Sequence, residues 1–386
     1  MPLHQASLTT IKGAGRMSAS TTIPATMCAV QLTGHGDISK LVYREDVATP
    51  QPGPGEVLVA VTAAGVNNTD INTRIGWYSK SVTSDTNAGG AGGFEDVDTA
   101  DASWSGVALV FPRIQGADCS GHIAAVGAGV DKSRIGERVL VRAMMNDPDD
   151  PSPYRCWTMG SECDGAFAQF TKVPADEAFA INSDWTDVEL ASIPCAWSTA
   201  ENMLHRVGLG AERVLITGAS GGVGSAAVQL ARRRGAEVVA VAGAGKAKTL
   251  IALGATTVID RNADLVTSLG SDSIDVVVDL VGGNSWPQLL DILRRGGRYV
   301  TSGAIAGPIV DLDLRTLYLK DLSLFGGTWQ DVEVFKNLIS YIENNEVSPL
   351  IAKTFPLHEI GQAQELFLQK SFIGKIVLTI PPVSPG

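Results

Sequence analysis

The chain has 386 residues, of which 45% are hydrophobic, and a formal net charge of −11. This length allows two domains, each with its own hydrophobic core. The negative charge argues against nucleic acid or an anionic membrane surface as the main partner, and no apolar run is long enough to cross a bilayer. We therefore expect a globular chain whose partner is neither nucleic acid nor a membrane.

The first 26 residues are rich in Ser, Thr and Gly and lack the compact apolar core of a secretory signal. We predict that residues 1–26 form a flexible leader, and either Met17 or Met27 could be the true start; a weak organelle-targeting peptide is the alternative. The five cysteines are odd in number and include no C-x-x-C pair. This pattern favours a reduced, cytoplasmic setting over a disulfide framework.

After the leader, short apolar runs alternate with turns that contain Gly and Pro. The clearest strand is Glu56–Thr62, which follows the turn cluster Pro50–Gly55. Apolar runs next to glycines repeat this pattern at residues 116–129 and 136–141. Many short strands with such turns predict an antiparallel, barrel-like domain.

Two stretches interrupt this pattern. Lys80–Gly106 is rich in Gly, Ser and Asp, and Asn146–Pro153 is acidic and rich in proline. We predict loops in both, because neither shows apolar periodicity. Loops of this kind in a compact domain are often lids or binding loops, and a disordered surface insertion is the alternative for each.

The most informative motif lies past the middle of the chain, in Arg213–Ser225. A short apolar run leads into a glycine-rich turn, and an Ala-rich segment with helical spacing follows. Such glycines permit a tight turn, a close approach of the backbone to a pyrophosphate, and close packing of helix on strand. The helix N-terminus then favours the anion. The predicted contacts of this dinucleotide site are Thr217, Gly218, Ser220, Gly221, Gly222, Val223 and Gly224.

From Asp187 onwards, almost continuously apolar strands alternate with helical segments, which is typical of a parallel sheet covered on both faces. A further helix is predicted at Asp331–Asn344, and the strand Gly374–Ile380 is expected to rejoin the barrel-like domain. The predicted strands of the parallel sheet are Val214–Thr217, Glu237–Ala242, Thr257–Ile259, Asp275–Val281, Arg298–Ser302 and Leu322–Gly326, and its helices are Val223–Arg234, Lys246–Leu253 and Ser285–Arg295.

The predicted fold class is therefore α/β. A doubly wound, parallel-sheet nucleotide domain is inserted in a mainly antiparallel, β-barrel-like catalytic domain. We predict that residues 27–196 and 330–386 form the catalytic domain and that residues 197–329 form the nucleotide domain.

The end of the second parallel strand indicates which nucleotide binds. An NAD site usually places Asp or Glu there, but Glu237–Ala242 is followed by Gly-Ala-Gly-Lys. Glycine leaves room for a 2′-phosphate, and Lys246, Lys248 or Arg261 could neutralise it, so we predict NADPH over NADH. The alternative is that these are ordinary solvated charges. The cofactor contacts expected outside the glycine-rich turn are Gly243, Lys246, Arg261 and, as backbone presented to the nicotinamide, Gly303 and Ala304.

The order of these motifs resembles the medium-chain dehydrogenase/reductase superfamily from about Met27 to Ile380. The resemblance implies a GroES-like catalytic domain around a Rossmann domain, and it is strongest to the zinc-independent quinone oxidoreductase-like branch. The segments that carry it are Pro54–Val59, Ala64–Asp70, Gly116–Asp118, Val126–Val130, Gly136–Val139, Gly165–Gln169, Thr217–Gly224 and Gly374–Val377.

The distinction from the zinc-dependent members of this superfamily rests on metal ligands. Where those enzymes carry Cys and His-Glu, this chain carries Asn67 and Ala117-Asp118, and only Cys195 falls where a third ligand would be. Asn is a poor zinc ligand and Ala cannot bind, so the resemblance implies that no zinc is bound. We expect Cys195 to be a small buried side chain. An atypical zinc site around Asp118 and Cys195 is the alternative.

Without zinc, conjugated acceptors are the favoured substrates. Hydride can pass to the β-carbon of an enone or to a quinone ring, and hydrogen-bond donors can stabilise the resulting anion. The resemblance implies that Tyr78 is this donor, that Asn67 and Asp70 lie near the nicotinamide and the pocket floor, and that Thr199 touches the nicotinamide. For Tyr78, a role in lining the pocket is the alternative.

We therefore expect an NADPH-dependent, zinc-independent oxidoreductase of quinones or α,β-unsaturated carbonyls. Four tryptophans in segments expected near the cleft favour an apolar, aromatic substrate: Trp77, Trp104, Trp157 and Trp197. For Trp104 and Trp157, a place in the core or on the surface is the alternative. By resemblance, Leu322–Gly326 pairs with its twin in a homodimer. Two alternatives stay open: an alcohol dehydrogenase with an atypical zinc site, and a protein that binds NADPH without turnover.

Overall fold

The computed structural model describes residues 23–150, 152 and 154–383. The predicted leader lies outside the described residues up to position 22. From residue 23 onwards it belongs to the folded chain, because Ile23 packs against a hydrophobic core and the first strand begins at Thr26. In the predicted loop Asn146–Pro153, residues 151 and 153 also lie outside the described part, and the rest of the loop is neither helix nor strand.

The barrel-like domain is built on a seven-stranded sheet around a buried apolar core. Its central strand, Glu56–Val66, pairs antiparallel with three strands: Ser120–Val126, Phe170–Pro174 and Lys375–Thr379. The elements up to the parallel sheet are β1 Thr26–Leu32, β2 Leu41–Ala48, β3 Glu56–Val66, α1 Asn68–Ile75, α2 Thr86–Gly89, β4 Arg113–Ile114, β5 Ser120–Val126, β6 Arg138–Val141, β7 Met144–Met145, β8 Trp157–Thr158, β9 Phe170–Pro174, β10 Ala178–Ala180, α3 Asp187–Leu190 and α4 Pro194–Arg206.

The parallel-sheet domain follows and has six strands, all parallel, in the order β13-β12-β11-β14-β15-β16. From β11 the chain adds strands first on one side, as far as β13, and then on the other side, from β14 to β16. In doubly wound folds, ligands bind at this switch point, here between β11 and β14. Its elements are β11 Arg213–Ile216, α5 Gly222–Arg233, β12 Glu237–Ala242, α6 Ala247–Leu253, β13 Thr257–Asp260, α7 Leu265–Leu269, β14 Ile274–Asp279, α8 Trp286–Ile292, β15 Leu293–Thr301, α9 Leu314–Leu319 and β16 Ser323–Gly326.

The end of the chain returns to the barrel-like domain, as predicted. Its last strand lies between β3 and the strand before it in the seven-stranded sheet. The predicted α/β fold class is therefore confirmed. The closing elements are α10 Val332–Glu343, β17 Ile351–Pro356, α11 Ile360–Gln369 and β18 Lys375–Thr379. The boundaries at 196/197 and 329/330 stay predictions; α4 spans the first, and α10 packs on α4.

The predicted element boundaries differ most from the structure at two places in the chain. The predicted helix Ser285–Arg295 ends at Ile292, and the following strand begins at Leu293 instead of Arg298. Gly296 has a φ of 71°, so the helix cannot continue through this segment, and the chain joins the sheet early with an irregular register to β14. Strand β3 also extends beyond Thr62 to Val66, because its second half pairs with β18.

The segment Lys80–Gly106 is mainly loop, as predicted, with one short helix, α2. The Asp85 side chain caps this helix by accepting hydrogen bonds from two backbone N–H groups. Arg74 Nη2 donates to the Gly90 carbonyl oxygen at 2.6 Å, which ties the segment to the barrel-like domain. The Thr86 N–H donates to the Ile305 carbonyl oxygen at 3.3 Å in the parallel-sheet domain. The segment therefore spans the gap between the two domains.

Among the helices that the structure describes, none combines the length and the apolar character needed to cross a membrane.

Candidate active site

A cavity of about 700 Å³ lies between the two domains. The carboxyl ends of the parallel strands form one wall, and α1, α4 and the segment Lys80–Gly106 contribute to the other. All the predicted cofactor contacts line this cleft, and so do three of the four predicted catalytic residues: Tyr78, Asn67 and Thr199. The structure thus brings together residues from both halves of the chain that sequence analysis had assigned to one site.

The glycine-rich turn fits a dinucleotide pyrophosphate. Gly218 has a φ of 58°, and a Cβ atom on Gly224 would collide with the Gly218 carbonyl oxygen. Gly221 precedes α5 in an extended conformation, and a Cβ atom there would meet nothing closer than 3.5 Å. The cleft is therefore open in front of Gly221, where the free N–H groups at the start of α5 can receive an anion.

Thr217 holds the two strands at the reversal point together. Its hydroxyl donates to Asp279 Oδ1 at 2.5 Å and accepts from the Leu280 N–H at 2.9 Å. Tyr299 also donates to this buried carboxylate, at 2.7 Å to Oδ2. These hydrogen bonds join the ends of β11, β14 and β15 at the floor of the cleft.

Arg261 covers the end of the second parallel strand, where an NAD site would carry an acid. The backbone N–H of Arg261 donates to the Ala242 carbonyl oxygen at 2.9 Å. Its guanidinium lies so close to Gly243 that a Cβ atom there would collide with Nη2. A side chain at position 243 would therefore displace the guanidinium, which lies beside the position expected for a 2′-phosphate.

Lys246 lies beside Arg261 and reaches across the cleft. Its ammonium donates to Ser220 Oγ at 3.2 Å and to the carbonyl oxygens of Lys370 and Phe372, both at 3.0 Å. Burial and the charge of Arg261 lower the pKa of Lys246. Lys246 therefore binds the barrel-like domain, in addition to its predicted contact with a 2′-phosphate.

Lys370 adds a third cation that sequence analysis missed. Its side chain lines the same end of the cleft, and burial lowers its pKa, with Asp85 opposing and Arg261 reinforcing the shift. The only signal in the sequence was its position shortly before the segment Gly374–Val377. Three cations from both domains thus surround one end of the cofactor site.

The opposite end of the cleft is aromatic. The Tyr78 hydroxyl donates to Thr69 Oγ1 at 3.0 Å, and its ring packs edge-on against Trp77 and Trp104 at centroid distances of 5.8 and 5.6 Å. Burial raises the pKa of the Tyr78 phenol above its ordinary range, so the phenol keeps its proton. Thr199 Oγ1 donates to the Cys195 carbonyl oxygen at 2.7 Å on α4 and also faces the cleft.

The expectation that four tryptophans lie near the cleft is only half right. Trp77 and Trp104 line it. Trp197 is 3% exposed in the core of the parallel-sheet domain, because it lies on the opposite face of α4 from the cleft. Trp157 packs against the core of the barrel-like domain.

A buried network joins Asn67, Asp118 and Lys375 beneath the cleft. The Lys375 ammonium donates to Asp118 Oδ2 at 2.8 Å, to Asn67 Oδ1 at 2.5 Å and to the Val66 carbonyl oxygen at 3.1 Å. Asn67 Nδ2 donates to Asp118 Oδ2 at 2.7 Å, and the Cys195 N–H donates to Oδ1 at 2.6 Å. In the sequence, Lys375 stands out only as part of the segment Gly374–Val377, because nothing local shows that it reaches Asp118.

Asp70 does not reach the cleft, unlike the other three predicted catalytic residues. Its carboxylate accepts the Asn67 N–H at 2.7 Å and closes the capping box of α1. The side chain is buried, and burial raises the pKa of Asp70 to about 7. Asp70 therefore lies behind the expected pocket floor, where it caps the start of α1.

The residues at the expected zinc position do not fit a zinc ion. Both Asp118 oxygens accept hydrogen bonds, one of them from the Lys375 ammonium. Burial and the charge of Asp118 raise the pKa of the Cys195 thiol. Within the described ranges, no group of three or more His, Cys, Asp or Glu side chains is arranged to hold a metal.

Comparisons with known proteins agree with this architecture. A family model described as "Alcohol dehydrogenase GroES-like domain" matches residues 53–183, and one described as "Zinc-binding dehydrogenase" matches residues 222–344. The acryloyl-coenzyme A reductase of Metallosphaera sedula is 28% identical over 92% of this chain and 100% of its own length. The quinone oxidoreductase of Rattus norvegicus is 26% identical over 92% of this chain and 98% of its own.

One solved structure is considerably more similar. It is provisionally named an alcohol dehydrogenase, comes from Sinorhizobium meliloti 1021 and is 46% identical, with a TM-score of 0.83 over 93% of this chain and 98% of that one. Family models for both domains and a relative of this identity leave one assignment. The chain is an oxidoreductase-type member of the medium-chain dehydrogenase/reductase superfamily.

Proposed function

We propose that the protein is an NADPH-dependent, zinc-independent oxidoreductase that reduces a quinone or an α,β-unsaturated carbonyl. The observation that carries this proposal is the Arg261 guanidinium packed on Gly243, beside a glycine-rich turn that fits a pyrophosphate. A cation in place of the usual acid favours a 2′-phosphate. The names of the quinone oxidoreductase and acryloyl-coenzyme A reductase relatives both describe conjugated acceptors.

The bound cofactor supplies a hydride to the acceptor. The residues of this chain hold the reactants: the turn before α5 takes the pyrophosphate, and Gly303 and Ala304 line the cleft after β15. Thr199 faces them from α4. These residues would hold the nicotinamide end between the two domains, where Asp85, Asn87 and Trp104 also line the cleft and would limit the access of water.

Tyr78 supplies the donor for the anion that forms on the acceptor. Hydride addition at the β-carbon of an enone leaves an enolate, and a protonated phenol can donate to its oxygen. A proton then reaches the α-carbon from Tyr78 or from solvent, which completes the reduced product. The raised pKa keeps this hydroxyl in the donor form at neutral pH.

Nucleotide binding tests this proposal first. We expect NADPH to bind more tightly than NADH in fluorescence titrations, and Arg261→Ala and Lys246→Ala to weaken NADPH about 10- to 100-fold while changing NADH little. Lys248→Ala is the matched control, because Lys248 is exposed and lies outside the cleft. Equal losses for both nucleotides would contradict the phosphate contact. A panel of quinones, enones and enals with either nucleotide then tests turnover, and no oxidation by any of them would favour binding without catalysis.

An alcohol dehydrogenase with an atypical zinc site is the second candidate, and the match to the zinc-binding dehydrogenase model supports it. Elemental analysis of the purified protein separates the two. One zinc per chain, with alcohol oxidation that is lost on chelation and restored by added zinc, would favour this candidate.

We also propose that the protein is a homodimer. Strand β16 is an edge of the six-stranded sheet and therefore presents unpaired backbone groups. The neighbouring stretch of chain exposes a series of large apolar side chains: Ile309, Leu312, Leu314, Tyr318, Leu319 and Leu324. A second copy paired on this edge would bury both features.

A further inference from the structure

A second cavity, of about 480 Å³, opens beside the cleft. The two cavities share the wall residues Trp104 and Thr328, so the second lies next to the substrate end of the first. We call it the side chamber. Tyr154, Arg155, Arg206 and Trp329 also line it.

The side chamber contains a guanidinium with no protein partner. Within the described residues, the Arg206 side chain makes no ion pair or hydrogen bond, and its Nε is buried without a partner. The guanidinium carbon lies 6.0 Å from the centre of the Tyr154 ring. The other arginine in the chamber differs, because Arg155 pairs with Asp147 at 2.8 Å and with Asp150 at 3.4 Å. Arg206 therefore carries the uncompensated charge of the chamber.

The position of Arg206 on α4 relates it to the cleft. Arg206 lies seven residues after Thr199, which puts both on the same face of the helix about 10 Å apart. On the intervening turn, Asn202 Nδ2 donates to the Trp329 carbonyl oxygen at 3.0 Å and fixes one wall of the chamber. A cation near a helix C-terminus is favourable in itself, but that does not account for a buried Nε left without an acceptor. A ligand oxygen would satisfy it.

We propose that the side chamber binds the anionic end of the substrate, a carboxylate or a phosphate, through Arg206. The conjugated carbonyl then occupies the cleft beside Tyr78, and an apolar middle section passes Trp104. Trp329 and Tyr154, whose rings meet edge-on at 5.3 Å, form an apolar wall of the chamber beside the anion. This assignment rests on the proposed reductase function, because it concerns the far end of the same substrate.

Two pairs of substrates, each with a charged and a neutral member, test the proposal. The first pair is 4-(3-oxobut-1-enyl)benzoate and its methyl ester, which share the enone and the ring. Arg206→Gln should lower kcat/KM for the carboxylate about 10- to 100-fold, mainly through KM, and leave the ester within about twofold. Arg206→Lys should restore part of the loss. Arg44→Gln, an exposed arginine paired with Asp46 outside both cavities, is the control and should change neither substrate.

A second pair identifies the source of the anion. Crotonyl-coenzyme A carries phosphates, and crotonyl-N-acetylcysteamine is the neutral thioester. A selective loss with crotonyl-coenzyme A alone assigns a phosphate, and a loss with the benzoate alone assigns a carboxylate. Equal effects of Arg206→Gln on charged and neutral members of both pairs would overturn the proposal.

Calorimetry separates failure of the chamber from failure of the proposed function. If the wild-type protein oxidises NADPH with none of these compounds, the reductase function fails. Binding of the benzoate and its ester to the wild-type protein still tests the chamber, and it needs no variant that folds. Tighter binding of the benzoate than of its ester supports the proposal; equal or tighter binding of the ester contradicts it.

Discussion

The Lys375 ammonium lies 2.8 Å from Asp118 Oδ2, and the two side chains are 4% and 0% exposed. Lys375 opens β18, the strand that returns from the parallel-sheet domain, whereas Asp118 precedes β5. The Lys375 stem also packs against the glycine-rich turn, since a Cβ atom on Gly222 would lie 2.9 Å from Lys375 Cδ. One side chain thus connects the floor of the substrate pocket to the cofactor site.

Removing this ammonium should strongly destabilise the protein. Lys375→Met leaves the Asp118 carboxylate buried without its cation, and breaking a buried pair in this way costs about 3–5 kcal/mol. Urea denaturation measures the loss. Lys172→Met is the matched control, because Lys172 pairs with Glu56 at 3.0 Å on the surface and its loss should cost at most about 1 kcal/mol. The double change Lys375→Met with Asp118→Asn should recover part of the stability. Similar losses of stability for Lys375→Met and Lys172→Met would contradict this account.

Features that depend on local sequence could be predicted, and features that depend on distant partners could not. The glycine-rich turn and the parallel strands were found because turn residues and apolar runs are local signals. The predicted helix Ser285–Arg295 ran too far because its pattern did not show that the sheet captures the chain at Leu293. Lys375 was missed because its partner Asp118 lies 257 positions away in the chain.

A methyl group at position 243 should move the Arg261 guanidinium. A Cβ atom there would collide with Arg261 Nη2, so Gly243→Ala should displace the guanidinium and weaken NADPH by about 10-fold or more with little change for NADH. Fluorescence titration with the two nucleotides measures this. Gly210→Ala serves as the control, since nothing lies within 4 Å of the added methyl group. If the two variants bind NADPH alike, Arg261 does not contact the phosphate.

Tyr78→Phe should slow the chemical step and leave cofactor binding intact. The phenol is the proposed donor to the enolate oxygen, and loss of such a proton donor typically costs about 10²-fold in rate. Single-turnover kinetics with an enone measure this step. Tyr43→Phe is the control, because Tyr43 lies on β2 outside the cleft. Since burial raises the pKa of Tyr78, the wild-type rate should show no loss from phenol ionisation up to about pH 10. An unchanged rate for Tyr78→Phe would remove its proposed role.

Asp70 should make the protein less stable as the pH rises. Burial raises its pKa from the unfolded value of 3.8 to about 7, so the folded state binds the extra proton between these values. The free energy of unfolding should then fall with rising pH in this window, by about 1.4 kcal/mol per pH unit for one proton. Asp70→Asn should flatten this slope in urea denaturation series. Asp131→Asn is the control: Asp131 is exposed, and hydrogen bonds from Ser133 lower its pKa, so its contribution is lost as the pH falls. A slope unchanged by Asp70→Asn would contradict the assignment.

The proposed dimer edge should be sensitive to charge. Leu324 lies on β16 and is 38% exposed, and a carboxylate on an edge strand opposes pairing with a second copy. Leu324→Asp should therefore shift the protein from dimer to monomer in size-exclusion chromatography with light scattering. Ile135→Asp introduces the same charge at a residue that is 47% exposed on the barrel-like domain, away from the edge, and should leave the dimer intact. A wild-type protein that is monomeric at all concentrations, or a Leu324→Asp variant that stays dimeric, would place the interface elsewhere or remove it. Loss of the dimer without loss of NADPH binding would show that each cofactor site is complete within one chain, as the cleft residues indicate.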